Sequence, residues 1–523
     1  MKNVATDING MCRERRSAPL TVFASALLLA GILGTFWRFT AEDAYIVARY
    51  AENLARHGEL TYNLGERICA LTSPLHALLS AALAALSGNA LSWSKPASLL
   101  ATAAALAATL WALRANTFSV VLCAAMIVPS PFIALWTVGG LETPFVLLLM
   151  TMLTLAARSK DSAPFGAGRI LLAGLLIGLG FLARFDTLTY SIPVGCSLLV
   201  RGKSTRRSIL SLLPGAIIAA AWLLFSKIYY HDILPTSFYV KRPEFGLRHL
   251  IKDEIYLLQF SIVSGLAPLA ALIVVRWREN KTRSLPNAFN RAWGVYAGLA
   301  LFFGYALTAC TVHMMFAYRL LVPFIPTAAL AGFDLLAATD ASGPKKRPLP
   351  SPFMPACGML LLNASLATFM YIRSINPSFV AEYSHESVRD YDKMLAVLRT
   401  QADEMRDDWR RRALSADRPA RLETFAAGVV PYYDRDTYIF EQLVSFRKLC
   451  VRPHEDSADY IDLIVPRHGS LIRQLGNQYG KDELVSSRVV SYDGKLEHFM
   501  LFYHPNPAPI ALPRYVDEPC RRP

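Results

Sequence analysis

The run LTVFASALLLAGILGTFW at 20–37 is the first of the series of apolar runs that decides the fold. It carries no charge, and as a helix it is long enough to cross a hydrocarbon core of about 30 Å. Arg13, Arg15 and Arg16 precede it, as expected for a membrane anchor whose N-terminal flank stays in the cytoplasm. Because small-residue cleavage sites are weak here, we predict an uncleaved anchor preceded by a cytoplasmic N-terminus at 1–19.

Similar apolar runs recur between short polar loops as far as residue 372. The chain is 53% hydrophobic and only 18% charged, whereas soluble domains carry about 25% charged residues. A soluble core would not need so many runs of this length, so we predict an α-helical polytopic membrane protein with roughly eleven transmembrane helices within 20–372. The predicted spans lie at about 20–37, 96–113, 117–135, 142–157, 169–184, 187–200, 208–228, 255–275, 292–312, 320–338 and 353–372.

The short run 72–87 decides the topology. If it does not cross, nearly every basic loop lies on the cytoplasmic side, and if it crosses, all of them lie outside. We therefore predict a juxtamembrane or re-entrant helix there, a cytoplasmic N-terminus and an extracytoplasmic C-terminus. The weakest predicted span is 187–200, whose failure would reverse the side of everything after it. Because the net charge of +14 is explained by these loops, we predict no nucleic-acid partner.

After Arg373 the composition becomes more polar, and we predict a small soluble α/β domain at 373–523, on the extracytoplasmic side. The pattern of 387–412 predicts an amphipathic helix. Short apolar segments around turn residues predict strands and one hairpin. These strands are expected at 424–430, 460–465, 487–492 and 498–503, with the hairpin turn at Asp493-Gly494.

The outer loop at 38–95 follows the first anchor and begins with an amphipathic helix that Gly58 should end. A helical wheel places Asp43 toward the apolar side, where partial desolvation would raise its basicity. A carboxylate in such a place could act as a general base that takes a proton from a hydroxyl. Two interpretations stay open, because Asp43 could instead complete a capping box with Thr40 as N-cap. Glu42 either assists the base or is a solvated charge near a helix N-terminus.

The same loop carries a series of short motifs: Glu42-Asp43-Ala44-Tyr45-Ile46, Arg49-Tyr50-Ala51 with Asn53-Leu54, Gly58, Tyr62-Asn63 with Gly65-Glu66-Arg67, and Thr72-Ser73-Pro74-Leu75. Their residues and spacing resemble a bacterial branch of the GT-C glycosyltransferases, which includes the terminal arabinofuranosyltransferases of cell-wall arabinan. Further motifs similar to that branch follow in order: GLETP at 140–144, ARFD at 183–186, LPTSFYVK at 234–241 and RLLVP at 319–323. The similarity covers most of 35–330 and is thin in the C-terminal domain.

The resemblance implies a membrane glycosyltransferase with a polyprenyl-phosphate-linked sugar donor, arabinofuranose being the sugar of the branch. It implies that Asp43 is the catalytic base, with Glu42 assisting. Some GT-C members use a divalent cation, for which these two carboxylates could supply oxygen ligands. The chain departs from the pattern at Glu42, where Asp is usual, and at His76, where Trp is common. His76 lies in the loop that should shape the acceptor side, so we predict it to line the acceptor pocket.

A departing phosphate is stabilised by a cation that is already in place. Lys241 is the leading candidate, with Tyr239 beside it, although a lysine that snorkels at a span end would look the same. Arg319 opens a span on the outer side, where the positive-inside rule disfavours it. Phosphate binding and an internal salt bridge are both open for Arg319. Arg49 is also predicted to bind the donor.

Three further charged residues interrupt apolar runs near the predicted outer face and are expected to line the sugar pocket. These are Glu142, Arg184 and Asp186. Arg184 and Asp186 could instead pair with each other or cap helix ends. Glu142 could simply be an acid at a helix N-terminus, where a negative charge is favourable.

We therefore predict a multi-pass glycosyltransferase of the bacterial inner membrane whose acceptor is an envelope glycan, protein or lipid. Asp43 and Lys241 should meet at one outward-facing membrane edge. A transporter or flippase of lipid-linked sugars is the first alternative, but transporters carry charges at mid-span, and here the charges cluster at one edge. A non-catalytic envelope scaffold is the second.

Overall fold

The structure, a computed structural model, describes residues 2–158, 164–240, 247–280, 284–308, 315–340, 351–373, 387–412, 419–424, 427–435, 437–440, 460–466, 483–492 and 495–503. Helices dominate this part of the chain, as the composition predicts. In the first half they are α1 (Lys2–Phe36), α2 (Glu42–His57), α3 (Pro74–Ser87), α4 (Ala90–Leu113), α5 (Thr117–Ile127), α6 (Pro131–Val138), α7 (Thr143–Ala157), α8 (Ala167–Ala183), α9 (Leu188–Val200) and α10 (Thr205–Tyr229).

The second half continues with shorter helices and then strands. The helices are α11 (Ser237–Val240), α12 (Leu247–Val263), α13 (Leu266–Asn280), α14 (Ser284–Arg291), α15 (Trp293–Thr308), α16 (Ile325–Asp340), α17 (Phe353–Ile372), α18 (Val388–Arg411) and α19 (Val429–Tyr433). The strands are β1 (Arg421–Glu423), β2 (Tyr438–Phe440), β3 (Tyr460–Pro466), β4 (Glu483–Tyr492) and β5 (Lys495–Tyr503).

The chain forms two compact units. The helical unit comprises Met1–Arg38, Lys95–Trp222 and Pro243–Ser384, and the loop unit comprises Phe39–Ser94, Leu223–Arg242 and His385–Pro523. The loop after the first anchor thus groups with the C-terminal part of the chain. Our sequence-based boundaries at 19 and 372 follow the membrane spans, whereas these units follow compactness.

Every predicted span coincides with a helix or with a bent pair of helices in the described residues. By length and composition, 5 helices of the described ranges could cross a membrane, or up to 7 if each bent pair is one span. The remaining predicted spans are shorter apolar helices, among them Thr143–Ala157, Ala167–Ala183, Phe185–Val200 and Trp293–Thr308. The predicted polytopic helical fold is confirmed.

Two predicted spans are not continuous helices, which corrects the prediction. The run 117–135 bends by 56° between α5 and α6, and the run 255–275 bends by 74° between α12 and α13. Pro131 opens α6, and its missing N–H interrupts the hydrogen-bond ladder. Gly265 has φ +80, a left-handed conformation that a side chain would strain. Both breaks therefore have a local cause.

The run 72–87 forms α3, which has 14 residues. At 1.5 Å per residue it is about 21 Å long. Pro74 occupies its first turn and Gly88 ends it. The predicted span α9 has only 13 residues, so length does not separate α3 from the spans, and the juxtamembrane helix at 72–87 stays a prediction.

The C-terminal part of the loop unit contains a mixed sheet of order β2-β1-β3-β5-β4. β1 pairs parallel with β2 and β3, and β5 pairs antiparallel with β3 and β4. The predicted strand 460–465 and the predicted hairpin strands are confirmed, although the turn at 493–494 lies outside the described residues. The predicted strand at 424–430 is wrong: β1 ends before it, and Val429 begins the short helix α19. The predicted amphipathic helix is α18, capped by Ser387.

Candidate active site

The acidic pair lies in the first turn of α2, which ends at Gly58 as predicted. Asp43 is exposed, so the predicted partial desolvation of its carboxylate is wrong. The capping box is also absent, because the N-cap is Ala41, which offers no side-chain hydrogen bond. Val47 and Tyr50, which follow Asp43 on the same side of the helix, are buried. The exposure of Asp43 therefore belongs to its place in the first turn and not to its side of the helix.

Glu42 is tied to the C-terminal part of the loop unit. Its Oε1 accepts hydrogen bonds from the backbone N–H groups of Gly428 and Val429, the latter at 3.3 Å. Its own backbone N–H donates to the Tyr391 hydroxyl at 2.7 Å. A carboxylate at a helix N-terminus, here that of α19, is favourable for the helix dipole. The two neighbouring acids thus have different surroundings, which the sequence did not reveal.

Arg49 is only 6% exposed, and each of its guanidinium nitrogens donates to a backbone carbonyl. Nε bonds Tyr62 at 2.9 Å, Nη2 bonds Thr437 at 2.7 Å, and Nη1 bonds Pro431. Such charge-assisted bonds are among the stronger ones in proteins. Arg49 therefore joins α2 to the C-terminal part of the loop unit, and its role in donor binding stays a prediction.

Other residues of the recognised motifs also bind backbone groups. Asn63 exchanges two hydrogen bonds with the backbone of Ile439, its Nδ2 donating at 3.0 Å and its Oδ1 accepting at 3.1 Å. The Tyr62 hydroxyl donates to the carbonyl of Ala427. The motif at 62–67 therefore carries structural contacts with the C-terminal segment, which a sequence pattern alone does not reveal.

Two carboxylates to which the sequence analysis gave no role in the site are the buried Glu52 and the partly buried Glu66. Glu52 accepts from the Tyr432 hydroxyl at 2.8 Å and pairs with Arg435 at 2.7 Å. Glu66 accepts from Asn63 at 3.0 Å and from the Tyr438 hydroxyl at 2.9 Å. Desolvation raises the pKa of Glu66 to about 7, although both hydrogen bonds act in the opposite direction. Glu66 is therefore a group of the loop unit that titrates near neutral pH.

In the helical unit, Arg319 and Glu142 form an ion pair. Nη2 of Arg319 lies 3.4 Å from Oε1 of Glu142, and the Glu142 side chain is 3% exposed. The Arg319 guanidinium also lies 5.8 Å from the ring centroid of Trp136. The Trp136 indole N–H donates to the carbonyl of Ala317 at 2.9 Å. The sequence analysis missed Trp136, because nothing distinguishes it from the other residues of an apolar helix.

Arg184 and Asp186 form a second pair beside the first. Nε of Arg184 lies 2.6 Å from Oδ1 of Asp186, and Nη2 donates to the carbonyl of Leu320 at 2.9 Å. Leu320 adjoins Arg319, so the structure brings together the four charged residues predicted at 142, 184, 186 and 319. Nη1 of Arg184 is buried and has no hydrogen-bond partner in the described part of the chain. Nη1 of Arg184 can therefore donate to a further oxygen.

The other predicted residues can be placed only in part. His76 is buried in α3. Tyr239 belongs to α11, and Lys241 lies outside the described residues. Within the described ranges, no group of three or more His, Cys, Asp and Glu residues could hold a metal ion.

Two solved structures share this architecture: ArnT from Cupriavidus metallidurans bound to undecaprenyl phosphate, and the same protein in the apo state. Both match with a TM-score of 0.52 and 13% identity. The first match covers 92% of this chain and 98% of that one, and the second covers 91% and 97%. No family model and no curated protein matches the chain. The likeness shows that the chain has the fold of that protein over nearly its whole length, and the long apolar helices of the described residues agree with a multi-pass membrane protein.

Proposed function

We propose that the protein transfers a sugar from a polyprenyl-phosphate donor to an extracytoplasmic acceptor. The acceptor oxygen bonds to the anomeric carbon while the bond from that carbon to the phosphate oxygen breaks. The phosphate keeps the electron pair, and the base takes the hydroxyl proton. The products are a glycosylated acceptor and polyprenyl phosphate, so no nucleotide is needed.

The likeness to a GT-C protein solved with undecaprenyl phosphate carries this proposal. It extends over nearly the whole of both chains, and the motifs of the outer loop agree with it. A carbohydrate enzyme on the outer face needs a donor that the membrane already carries. A polyprenyl phosphate meets that requirement, and a soluble nucleotide sugar does not.

Asp43 is our candidate for the base. It is exposed in the first turn of α2, where an acceptor hydroxyl can reach a carboxylate oxygen. General-base catalysis typically contributes about 10²–10⁴-fold, so its removal should be nearly inactivating. Glu42, whose Oε1 is held by two backbone amides, assists from the neighbouring position.

Cations should stabilise the departing phosphate, because negative charge develops on it in the transition state. We assign this role to Lys241 on the sequence motif, with Tyr239 as its neighbour. We assign the same role in stabilising the phosphate to Arg319. Its Nη2 lies 3.4 Å from Oε1 of Glu142, and a phosphate oxygen could replace that carboxylate oxygen as its partner. Arg184 and Asp186 are assigned to sugar hydroxyls, since Nη1 of Arg184 is a buried donor without a partner among the described residues.

The remaining assignments follow from the resemblance and from charge. The donor sugar is proposed to be arabinofuranose, as in the branch that the outer loop resembles, and His76 to line the acceptor side. The acceptor class is an envelope glycan, protein or lipid. The positive-inside rule favours a bacterial inner-membrane protein with its N-terminus in the cytoplasm and its C-terminal domain outside.

The test is donor turnover by the purified full-length chain in lipid nanodiscs. Synthetic farnesyl-phosphoryl arabinofuranose, the matching hexoses and a nucleotide sugar are offered with an envelope extract as acceptor. Mass spectrometry then quantifies released farnesyl phosphate. We expect acceptor-dependent release from at least one isoprenyl donor and none from the nucleotide sugar. A chain that moves the donor across the bilayer without releasing farnesyl phosphate would be a transporter and would contradict the proposal.

A further inference from the structure

We propose that Tyr391 and Gly428, from the C-terminal part of the loop unit, are positioning residues for the catalytic carboxylate. The inference rests on the proposed function, in which Asp43 is the base. It makes the C-terminal domain an obligatory part of the catalytic apparatus, whereas the sequence suggested a separate soluble domain.

The first turn of α2 has no side-chain cap from its own N-cap residue. Ala41 occupies that position and makes no side-chain hydrogen bond, although the first four N–H groups of a helix lack intrahelical partners. The Tyr391 hydroxyl, on α18, accepts from the first of these groups, the N–H of Glu42, at 2.7 Å. The Tyr391 ring also packs 5.2 Å from that of Phe39. A residue 349 positions away thus supplies the missing cap.

The second contact runs in the opposite direction. Oε1 of Glu42 accepts from the N–H groups of Gly428 and Val429 and so caps the first turn of α19. The two helices therefore cap each other: α18 and α19 secure the start of α2, and α2 secures the start of α19. Loss of a capping contact frays the first turn of the helix that it caps.

Gly428 is needed for this close approach. A Cβ at this position would lie 2.7 Å from the carboxyl carbon of Glu42 and closer still to its Oε1 and backbone oxygen. Its φ of −92 is open to any residue, so an alanine would meet no backbone strain. Substitution at Gly428 therefore acts through Glu42 and not through the local backbone.

Asp43 adjoins Glu42 and depends on the same turn. Each residue of a helix turns the side-chain direction by about 100°. If the first residue of α2 leaves the helical conformation, the carboxylate of Asp43 therefore points in another direction. Misplacement of a reacting group by about 1 Å can cost about a hundredfold in rate. The later turns of α2 have their own anchors in Arg49 and Glu52, so loss of the first-turn contacts should leave the helix and the fold in place.

Tyr391→Phe and Gly428→Ala test the inference, with Tyr432→Phe as the matched control. Both tyrosine changes delete one hydroxyl that contacts α2: Tyr391 bonds the first turn, whereas Tyr432 bonds Glu52 in a later turn. The assay is farnesyl-phosphate release, with kcat and donor KM measured separately and Tm measured on the same preparations. We expect Tyr391→Phe to lower kcat by about tenfold or more at an unchanged donor KM. Tyr432→Phe should keep the wild-type kcat at a similar Tm.

Gly428→Ala should reproduce the kcat loss. If that variant fails to insert, Tyr391→Phe still decides the question. Wild-type kcat in Tyr391→Phe, or equal losses in Tyr391→Phe and Tyr432→Phe, would overturn the inference. Asp43→Asn is assayed alongside: if it is inactive while Tyr391→Phe is fully active, the positioning inference falls and the proposed function stands. If Asp43→Asn turns over normally, it is the assignment of the base that falls.

Discussion

Arg49 in the loop unit and Arg184 in the helical unit are equally buried, at 6% exposure each, yet they have different partners. Arg49 gives every guanidinium nitrogen to a backbone carbonyl. Arg184 gives one nitrogen to a carboxylate and one to a carbonyl, and its Nη1 has no hydrogen-bond partner within the described ranges. Burial alone therefore does not distinguish the two arginines, but the partners of their nitrogens do.

The difference separates residues that hold the fold from residues that can exchange partners. Backbone carbonyls are fixed by the chain, so the bonds of Arg49 can be lost only if α2 and the C-terminal segment separate. Side-chain pairs such as Arg184–Asp186 and Arg319–Glu142 can open to admit a ligand oxygen at less structural cost. A buried donor without an acceptor lowers the stability of the fold. In the proposed function a sugar hydroxyl accepts from Nη1 of Arg184 and removes this penalty.

Arg49→Met should have the largest effect and should act on stability. It leaves the carbonyls of Tyr62, Pro431 and Thr437 without these donors, and hydrogen bonds to charged groups are worth about 1.5–3 kcal/mol each. We expect the variant to unfold at markedly lower denaturant concentration, as measured by tryptophan fluorescence in detergent. A wild-type unfolding midpoint would contradict the structural role.

The Arg319–Glu142 pair should show strong coupling. Removing one member of a buried pair costs about 3–5 kcal/mol because a charge is left uncompensated. The Arg319 side chain is partly exposed, so the loss of stability on removing one partner should lie below this range. In a cycle of Arg319→Met, Glu142→Gln and the double variant, the double variant should be more stable than the sum of the single losses predicts. Strict additivity would show that the 3.4 Å contact contributes nothing.

Arg184→Lys should affect binding more than stability. Lysine keeps the charge but loses the planar fork, so the predicted contact with the sugar is lost. We expect donor KM to rise by about tenfold, which corresponds to about 1.4 kcal/mol, with little change in Tm. A loss of stability comparable to that of Arg49→Met would erase the distinction between the two arginines.

Glu66 should give the smallest effect, visible as a pH dependence. Its pKa of about 7 in the folded chain lies above the ordinary 4.5, so the folded state binds more protons between these values. Its contribution to stability is therefore fully present below about pH 4.5 and is lost as the pH rises through 7. Glu66→Gln should raise Tm at pH 8 by about 2 °C relative to wild type and leave it nearly unchanged at pH 5. Parallel Tm profiles from pH 5 to 8 would contradict the raised pKa.

The helices were predictable because a run of apolar residues long enough to cross a bilayer can be recognised in the sequence without knowledge of distant contacts. The breaks at Pro131 and Gly265 carry recognisable local signals but were hidden within continuous apolar runs. The strand predicted at 424–430 was wrong because a long-range contact determines the structure there. The apolar residues Val429 and Val430 favour a strand, but they begin a helix whose N-terminus is capped by Glu42 from a distant part of the chain.

The candidate site was predictable as a set of residues but not as a set of contacts. The charged residues at 142, 184, 186 and 319 stand out because charge is rare in apolar runs. For Arg184 and Arg319 the structure contains the internal pairs that were left open as alternatives. The burial of Arg49 depends on contacts across more than 300 positions, which helical periodicity cannot encode.

In the proposed mechanism the proton goes to Asp43, the exposed acid of the pair, and not to Glu42, whose carboxylate is held by backbone amides. Single-turnover release of farnesyl phosphate by Asp43→Asn and Glu42→Gln tests it most directly. Glutamine keeps an oxygen that can accept from Gly428 and Val429, whereas asparagine removes the base. We expect Asp43→Asn to lower the single-turnover rate by at least about a hundredfold and Glu42→Gln to lower it far less. The reverse order would show that Glu42 is the base and that Asp43 is not.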